Sequence, residues 1–190
     1  MRNDSNIGQI FFSSVQAVPA FLESVRQGRN IPCLIPHAID QDPYFRVARD
    51  VLPRLGYFKP ASIQGRFLPG LAEGGKMSAS IPESAIFTTD TEKTAKKKVM
   101  NAFTGGQATV AEQKRLGANP DICPVYHYMT FLFEDDDTKL KEQYARCKAG
   151  ELLCGEHKQI LAEKVAAFLK SHQQKREKAK DRLDCFITKD

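Results

Sequence analysis

Strand-like runs stop near residue 90, and this change constrains the fold more than any other feature of the chain. Before it, helical periods alternate with short β-like runs. Residues 14–25 place Val15, Val18, Phe21 and Leu22 on one helical face, with a kink expected at Pro19. Residues 44–55 repeat Phe45, Ala48, Val51 and Leu52 at spacings of three and four. Residues 31–36 read as a buried strand bounded by prolines, and 61–68 as a second strand that Pro69 and Gly70 end. This α-β-α-β order predicts a parallel sheet layer, with a ligand crevice at the C-terminal ends of the strands. After Asp90 the pattern predicts helices alone, over 92–102, 109–116, 123–133, 138–147 and 155–183. Thr109 and Glu112 have the spacing of a capping box, Gly117 suits a helix stop, and Asn119-Pro120-Asp121 suits a new start. Val125, Tyr128, Met129 and Leu132 form a stripe that reads as core. The expected class is therefore α/β followed by all-α, with domains at 1–88 and 89–190.

With 190 residues, 42% of them hydrophobic, the chain can bury a core without a covalent staple. No apolar run approaches the roughly 20 residues of a membrane span. The polar opening from Met1 to Gln9 lacks the apolar stretch of a secretory leader, so none is expected. Five cysteines (Cys33, Cys123, Cys147, Cys154 and Cys185) are odd in number and form no CxxC pair. They read as reduced thiols of a cytoplasmic protein, mostly small core residues. The net charge of +5 is spread thinly, with nine basic and seven acidic residues before Ala85 and nineteen and sixteen from there on. Such a balance permits a polyanionic partner without requiring one.

One segment does not read as scaffold. In Leu71-Ala-Glu-Gly-Gly-Lys-Met-Ser-Ala-Ser80, two glycines precede a lysine and two serines, directly after a strand. Glycines let a backbone approach a phosphate, the lysine brings a mobile positive charge, and Ser78 and Ser80 can donate to an anion. Composition alone leaves a solvated turn equally open. The wording of the loop is more specific: Lys76-Met77-Ser78-Ala79-Ser80 resembles the KMSKS signature of class I aminoacyl-tRNA synthetases, in the KMSAS form of the tryptophanyl enzymes. The stretches Ser14 to Phe21, Cys33 to Arg46, Ala102 to Gln107, Gly117 to Asp121 and Phe133 to Asp137 resemble its eukaryotic and archaeal branch. The resemblance covers essentially the whole chain.

The resemblance implies the C-terminal part of a Rossmann-type catalytic domain followed by a helical anticodon-binding domain. It implies a tryptophan–tRNA ligase that uses ATP with Mg²⁺ as a substrate complex, forms tryptophanyl-adenylate and transfers tryptophan to tRNA(Trp), as a homodimer. Carried over by position, Gln16 and Gln41 contact tryptophan. Asp40 and Gln41 hold the adenylate, Lys76 and Ser78 act on the pyrophosphate, and Met77 lies against adenine. No metal ligand of the protein's own is implied. Gln107, Lys114 and Arg115 fall where relatives meet the anticodon, Gln107 to read bases and the basic pair to hold phosphate. Asp40 also reads as an N-cap for the helix after it, and Gln16 as a local backbone partner.

Three departures qualify this. The histidine-containing first signature of the family has no counterpart in these residues, so the chain alone is expected to lack activity, with Met1 to Asp4 a loop ahead of a strand. His37 stands where relatives often carry a smaller residue, which would alter the adenylate pocket or merely fill it; from its residue type it reads as packed or hydrogen-bonded. Gln113-Lys114 replaces a common His-Arg pair. The basic stretch Lys170, Lys175, Arg176, Lys178, Lys180 and Arg182 could follow a phosphate backbone, although the interleaved Glu177 and Asp181 favour a solvated helix face. Two other readings stay open at this point: an inactive RNA-binding or regulatory fragment, and a relative of the tyrosyl enzyme.

Overall fold

Two strands form near the expected positions and pair in parallel. The first is shifted to Leu34–Ala38, with Pro36 inside it rather than bounding it and Leu34 exposed rather than buried, and the second ends at Gly65. In the computed structural model, which describes residues 6–187, β1 (Leu34–Ala38) lies beside β2 (Ala61–Gly65), with Leu34 opposite Ala61 and Ala38 opposite Gly65. Among the described residues β1 has one partner strand, and Pro36 lies within it opposite Ile63. The helix expected over 14–25 is two helices, α1 (Ile7–Ala17) and α2 (Leu22–Arg26), separated by a 3₁₀ turn over Val18–Ala20. Pro19 in that turn has no N–H with which to continue an α-helix. Met1 to Asp4 lies outside the described residues, and the first described element is helix α1 rather than a strand. After β1, a 3₁₀ turn over Ile39–Gln41 leads into α3 (Asp42–Val51), which ends through a 3₁₀ turn over Leu52–Leu55. Ala20, Phe45, Ala48 and Leu52 form the core here. Val15 (65% exposed), Leu22 and Val51 are open rather than buried as their spacing predicts. The described residues of this small layer offer no second surface to cover them.

The chain divides into two compact units, Met1–Phe67 and Leu68–Asp190. Residues 68–88, grouped with the sheet in the sequence reading, pack in the second unit: Leu71 belongs to its core, and Leu68, Met77 and Ile86 rest against it. Helices α4 (Glu92–Asn101), α5 (Val110–Leu116), α6 (Pro124–Tyr128), α7 (Asp137–Ala149) and α8 (Cys154–Lys180) follow, close to the expected spans. The Thr109–Glu112 capping box forms in both directions. α4 packs on α8 through Ala95, Val99, Leu161, Val165 and Leu169, and Val125, Tyr128 and Met129 complete this core. Leu132, expected in the same stripe, is 57% exposed. The cause is a π-helical turn over Met129–Phe133, whose i→i+5 bonds rotate the stripe away from its α-helical phase. Lys98 pins the entry to α4: its Nζ lies 2.7 Å from Asp90 Oδ2, donates to the Ala85 carbonyl and sits over the Phe87 ring. All five cysteines are free; Cys123 and Cys147 are buried, Cys33 and Cys154 half-buried and Cys185 exposed. Among the described residues no helix is long and apolar enough to cross a membrane.

Candidate functional site

In the first unit, side chains that the sequence places far apart meet near the C-terminal ends of the two strands. Gln16 on α1 donates from Nε2 to Gln41 Oε1 at 3.0 Å, across 25 residues of sequence. Both are half-buried, so a neutral amide pair fits a site that meets an ammonium or hydroxyl without an uncompensated charge. Asp40 is exposed in the 3₁₀ turn ahead of α3. It is not the N-cap of α3; Gln41 holds that position and makes no side-chain cap bond. Asp42 is the carboxylate that organises this end. It accepts from Arg46 Nε one helical turn on and from Gln64 Nε2 at the end of β2. His37 is packed and hydrogen-bonded: its ring stacks on Phe45 at 4.7 Å and Nδ1 lies 3.0 Å from the Ala38 carbonyl.

In the second unit, the Lys76 segment is a loop closed on itself. Gly70 N–H donates to the Gly75 carbonyl at 2.8 Å, and Leu71 N–H to the Ser84 carbonyl at 2.9 Å. A Cβ at Gly70 would lie 2.9 Å from the Lys76 carbonyl carbon, so the glycine there is required by close backbone approach. Gly74 supplies a left-handed φ of 56° at the tip. Ser84, buried among these strands of loop, accepts from Ser78 N–H and donates toward the Ser78 and Ile81 carbonyls. Ser78 and Ser80 hydroxyls meet at 2.8 Å. The loop therefore presents Lys76 as an exposed cation, with Met77 anchored inward against the core.

The third group surrounds the Gly105-Gly106-Gln107 turn. A Cβ at Gly105 would overlap the Asn119 carbonyl, and one at Gly106 would lie 2.6 Å from Cys154 Sγ. Asn119 N–H donates to the Gly105 carbonyl at 2.7 Å. Gln107 is exposed, and one of its amide N–H groups donates to the Gly117 carbonyl at 3.1 Å, at the C-terminus of α5. Lys114 and Arg115 project from the last turn of that helix and are exposed. Their neighbour Gln113 is buried, donating to the Leu152 carbonyl at 3.4 Å with Oε1 against Gly106. Behind the turn lies a cavity of about 10 Å³ lined by Cys123, Cys147, Cys154 and His157, among others. Burial holds His157 down to about 4 and pushes Cys147 up to about 11, so both are uncharged at neutral pH. Among the described residues no group of three or more His, Cys, Asp or Glu side chains is arranged to hold a metal ion.

Sequence reasoning missed Asp42 and Gln64, which tie the start of α3 to the end of β2, and Ser84, which holds the Ser78 backbone. Only Asp42 carried a signal, as an acidic residue in the first turn of a helix four positions before Arg46. The structure brings Gln16 to Gln41 within the first unit, and Gln107 to the end of the helix bearing Lys114 and Arg115 within the second.

The family model for class I tRNA synthetases (W and Y) matches residues 28–170. A tryptophan–tRNA ligase of Pyrobaculum calidifontis is 54% identical over 184 residues, which make up 97% of this chain and 49% of that protein. Among solved structures, the tryptophanyl-tRNA synthetase of Aeropyrum pernix K1 superposes with a TM-score of 0.84 at 39% identity, covering 94% of this chain and 50% of that one. A tryptophanyl-tRNA synthetase of Encephalitozoon cuniculi, solved with tryptophan bound, gives a TM-score of 0.76 at 34% identity, covering 99% and 51%. The chain thus spans about half the length of the relatives it matches. By the match over residues 28–170, and by motifs that the fold sets on a strand end, a closed loop and a glycine turn, this chain belongs to the class I tRNA synthetases of the tryptophan and tyrosine group.

Proposed function

We propose that this chain supplies the Gln16–Gln41 pair, the Lys76 loop and the anticodon turn of a tryptophan–tRNA ligase. In the reaction, a carboxylate oxygen of tryptophan attacks the α-phosphorus of ATP, the bond to the β-phosphate breaks and pyrophosphate leaves. A terminal hydroxyl of tRNA(Trp) then attacks the carbonyl carbon of the adenylate and AMP departs. This chemistry needs positioning and charge compensation more than a protein nucleophile. Gln16 and Gln41 orient the amino acid, and Asp40 with Gln41 holds the adenylate ribose. Lys76, with the Ser78 hydroxyl, meets the charge that develops on pyrophosphate, and Met77 sets the loop backbone beside adenine. Mg²⁺ arrives with ATP. Gln107 reads an anticodon base while Lys114 and Arg115 hold its phosphates. The enzyme works in the cytoplasm as a homodimer.

The observation that carries this reading is the 3.0 Å bond between Gln16 and Gln41, two residues assigned to the same substrate and separated by 25 positions. In the intact enzyme, Gln16→Ala is expected to raise the tryptophan KM of ATP–pyrophosphate exchange about tenfold, with kcat little changed, as for loss of one hydrogen bond to a charged group. An unchanged KM would remove Gln16 from the amino-acid site. Absence of exchange together with retained, anticodon-dependent tRNA binding would favour the RNA-binding reading instead.

A further inference from the structure

We infer that a groove between the base of the Lys76 loop and helix α4 is a second contact for RNA, gripping the phosphodiester backbone through Lys93 and Lys97. The inference rests on the RNA-binding part of the proposed function. The groove has a volume of about 430 Å³ and is lined by Leu71 and Ala72 on the loop side, with Lys93, Thr94, Lys97 and Asn101 on the helix side. Positions 93, 97 and 101 recur every fourth residue, so they stand above one another on one face of α4 and span about 12 Å along it.

Charge decides what such a groove accepts. Of its three lysines, Lys98 is not available: it is nearly buried, with its ammonium committed to Asp90 and the Ala85 carbonyl. Lys93 and Lys97 are exposed, and neither pairs with a carboxylate among the described residues. Glu83 is the single acidic side chain in the lining. Two unpaired ammonium groups one turn apart, flanked by the Thr94 hydroxyl and the Asn101 amide, suit consecutive phosphates. The lining contains no aromatic ring on which a base could stack, so the contact positions a backbone rather than reading sequence. RNA contacts of this kind carry a measurable salt signature, because each neutralised phosphate releases counterions.

The test is anisotropy titration of a tRNA(Trp) transcript with the intact enzyme between about 50 and 200 mM KCl, for wild type and for Lys93→Gln, Lys97→Gln and Lys96→Gln. Lys96→Gln removes the same charge from the same helix outside the groove. Each groove substitution is expected to weaken binding and reduce the slope of log K against log salt by about 0.7–0.9. Over that salt range each variant then loses about threefold less affinity than wild type. The loss should be equal for the cognate tRNA and a one-base anticodon variant, and Lys96→Gln should leave the slope unchanged. Unchanged slopes for Lys93→Gln and Lys97→Gln, beside a wild type that binds and discriminates anticodons, would overturn the groove alone. An equal fall for Lys96→Gln would mean diffuse attraction and also overturn it. ATP displacing RNA from wild type but not from Lys97→Gln would make the groove a nucleotide site. A wild type that binds no tRNA would overturn the groove and the RNA reading together.

Discussion

Helical periodicity has opposite outcomes in the two units. In the second, residues spaced three and four apart on α4 and α8 meet each other, and Ala95, Val99, Leu161 and Val165 are all but inaccessible. In the first, the same spacing yields a core of four buried residues, while Val15, Leu22 and Val51 on the helices stay open, as do Leu34 and Ile63 on the strands. A helix face is buried only if another layer covers it. Helices α4 and α8 provide that for each other, whereas a pair of parallel strands is ordinarily one slice of a sheet covered on both faces. Periodicity thus reports which face is apolar, and the rest of the fold decides whether it is covered.

The sharpest way to break this comparison is a matched pair of truncations. Leu161→Ala should cost about 4 kcal/mol, since it leaves a cavity in a closed core, and Leu52→Ala about 2 kcal/mol, since open neighbours can relax around it. Urea unfolding of both variants checks this, and equal costs would erase the distinction between the units. Next in size is the Lys98–Asp90 pair, whose side chains are only 9% and 12% exposed. Lys98→Ala strands a largely buried carboxylate and should cost about 3 kcal/mol in the same assay. A loss under about 1 kcal/mol would class the pair with surface ion pairs.

His157 sharpens the comparison through pH. Burial lowers its folded value to about 4 from an ordinary 6.5. As pH falls below 6.5 the unfolded chain takes up a proton that the folded one refuses, so stability present above pH 6.5 is lost progressively down to about pH 4. The loss amounts to about 3 kcal/mol. His157→Gln should flatten this part of the stability–pH curve; a wild-type curve already flat there would show that the imidazole accepts its proton in place.

How much was legible in the sequence follows from the same physics. The five helices of the second unit and the Thr109–Glu112 cap follow from local signals, namely periodicity, capping residues and glycine stops, which act within a few positions. The exposure of Leu132 was not legible, because a π-helical turn carries no residue signature comparable to proline or glycine. The break at Pro19 was legible as a kink but not as two helices. At the candidate site, the Lys76 loop stood out by its glycines, lysine and serines, whereas Gln16, Gln41 and Gln107 stood out only through the family resemblance. Asp42, Gln64 and Ser84 did not, since a carboxylate that joins a helix to a strand end, or a serine that closes a loop six residues back, is defined by partners distant in sequence.

In the proposed function, Lys76 serves a charge that develops during reaction rather than a resting ligand. Single-turnover adenylate formation by the intact enzyme, measured alongside tryptophan binding for wild type and Lys76→Ala, separates the two. The expected result is a rate lowered by about 3 kcal/mol in the transition state, roughly a hundredfold, with tryptophan affinity unchanged. Equal losses in rate and affinity, or no loss in rate, would contradict the role given to the loop.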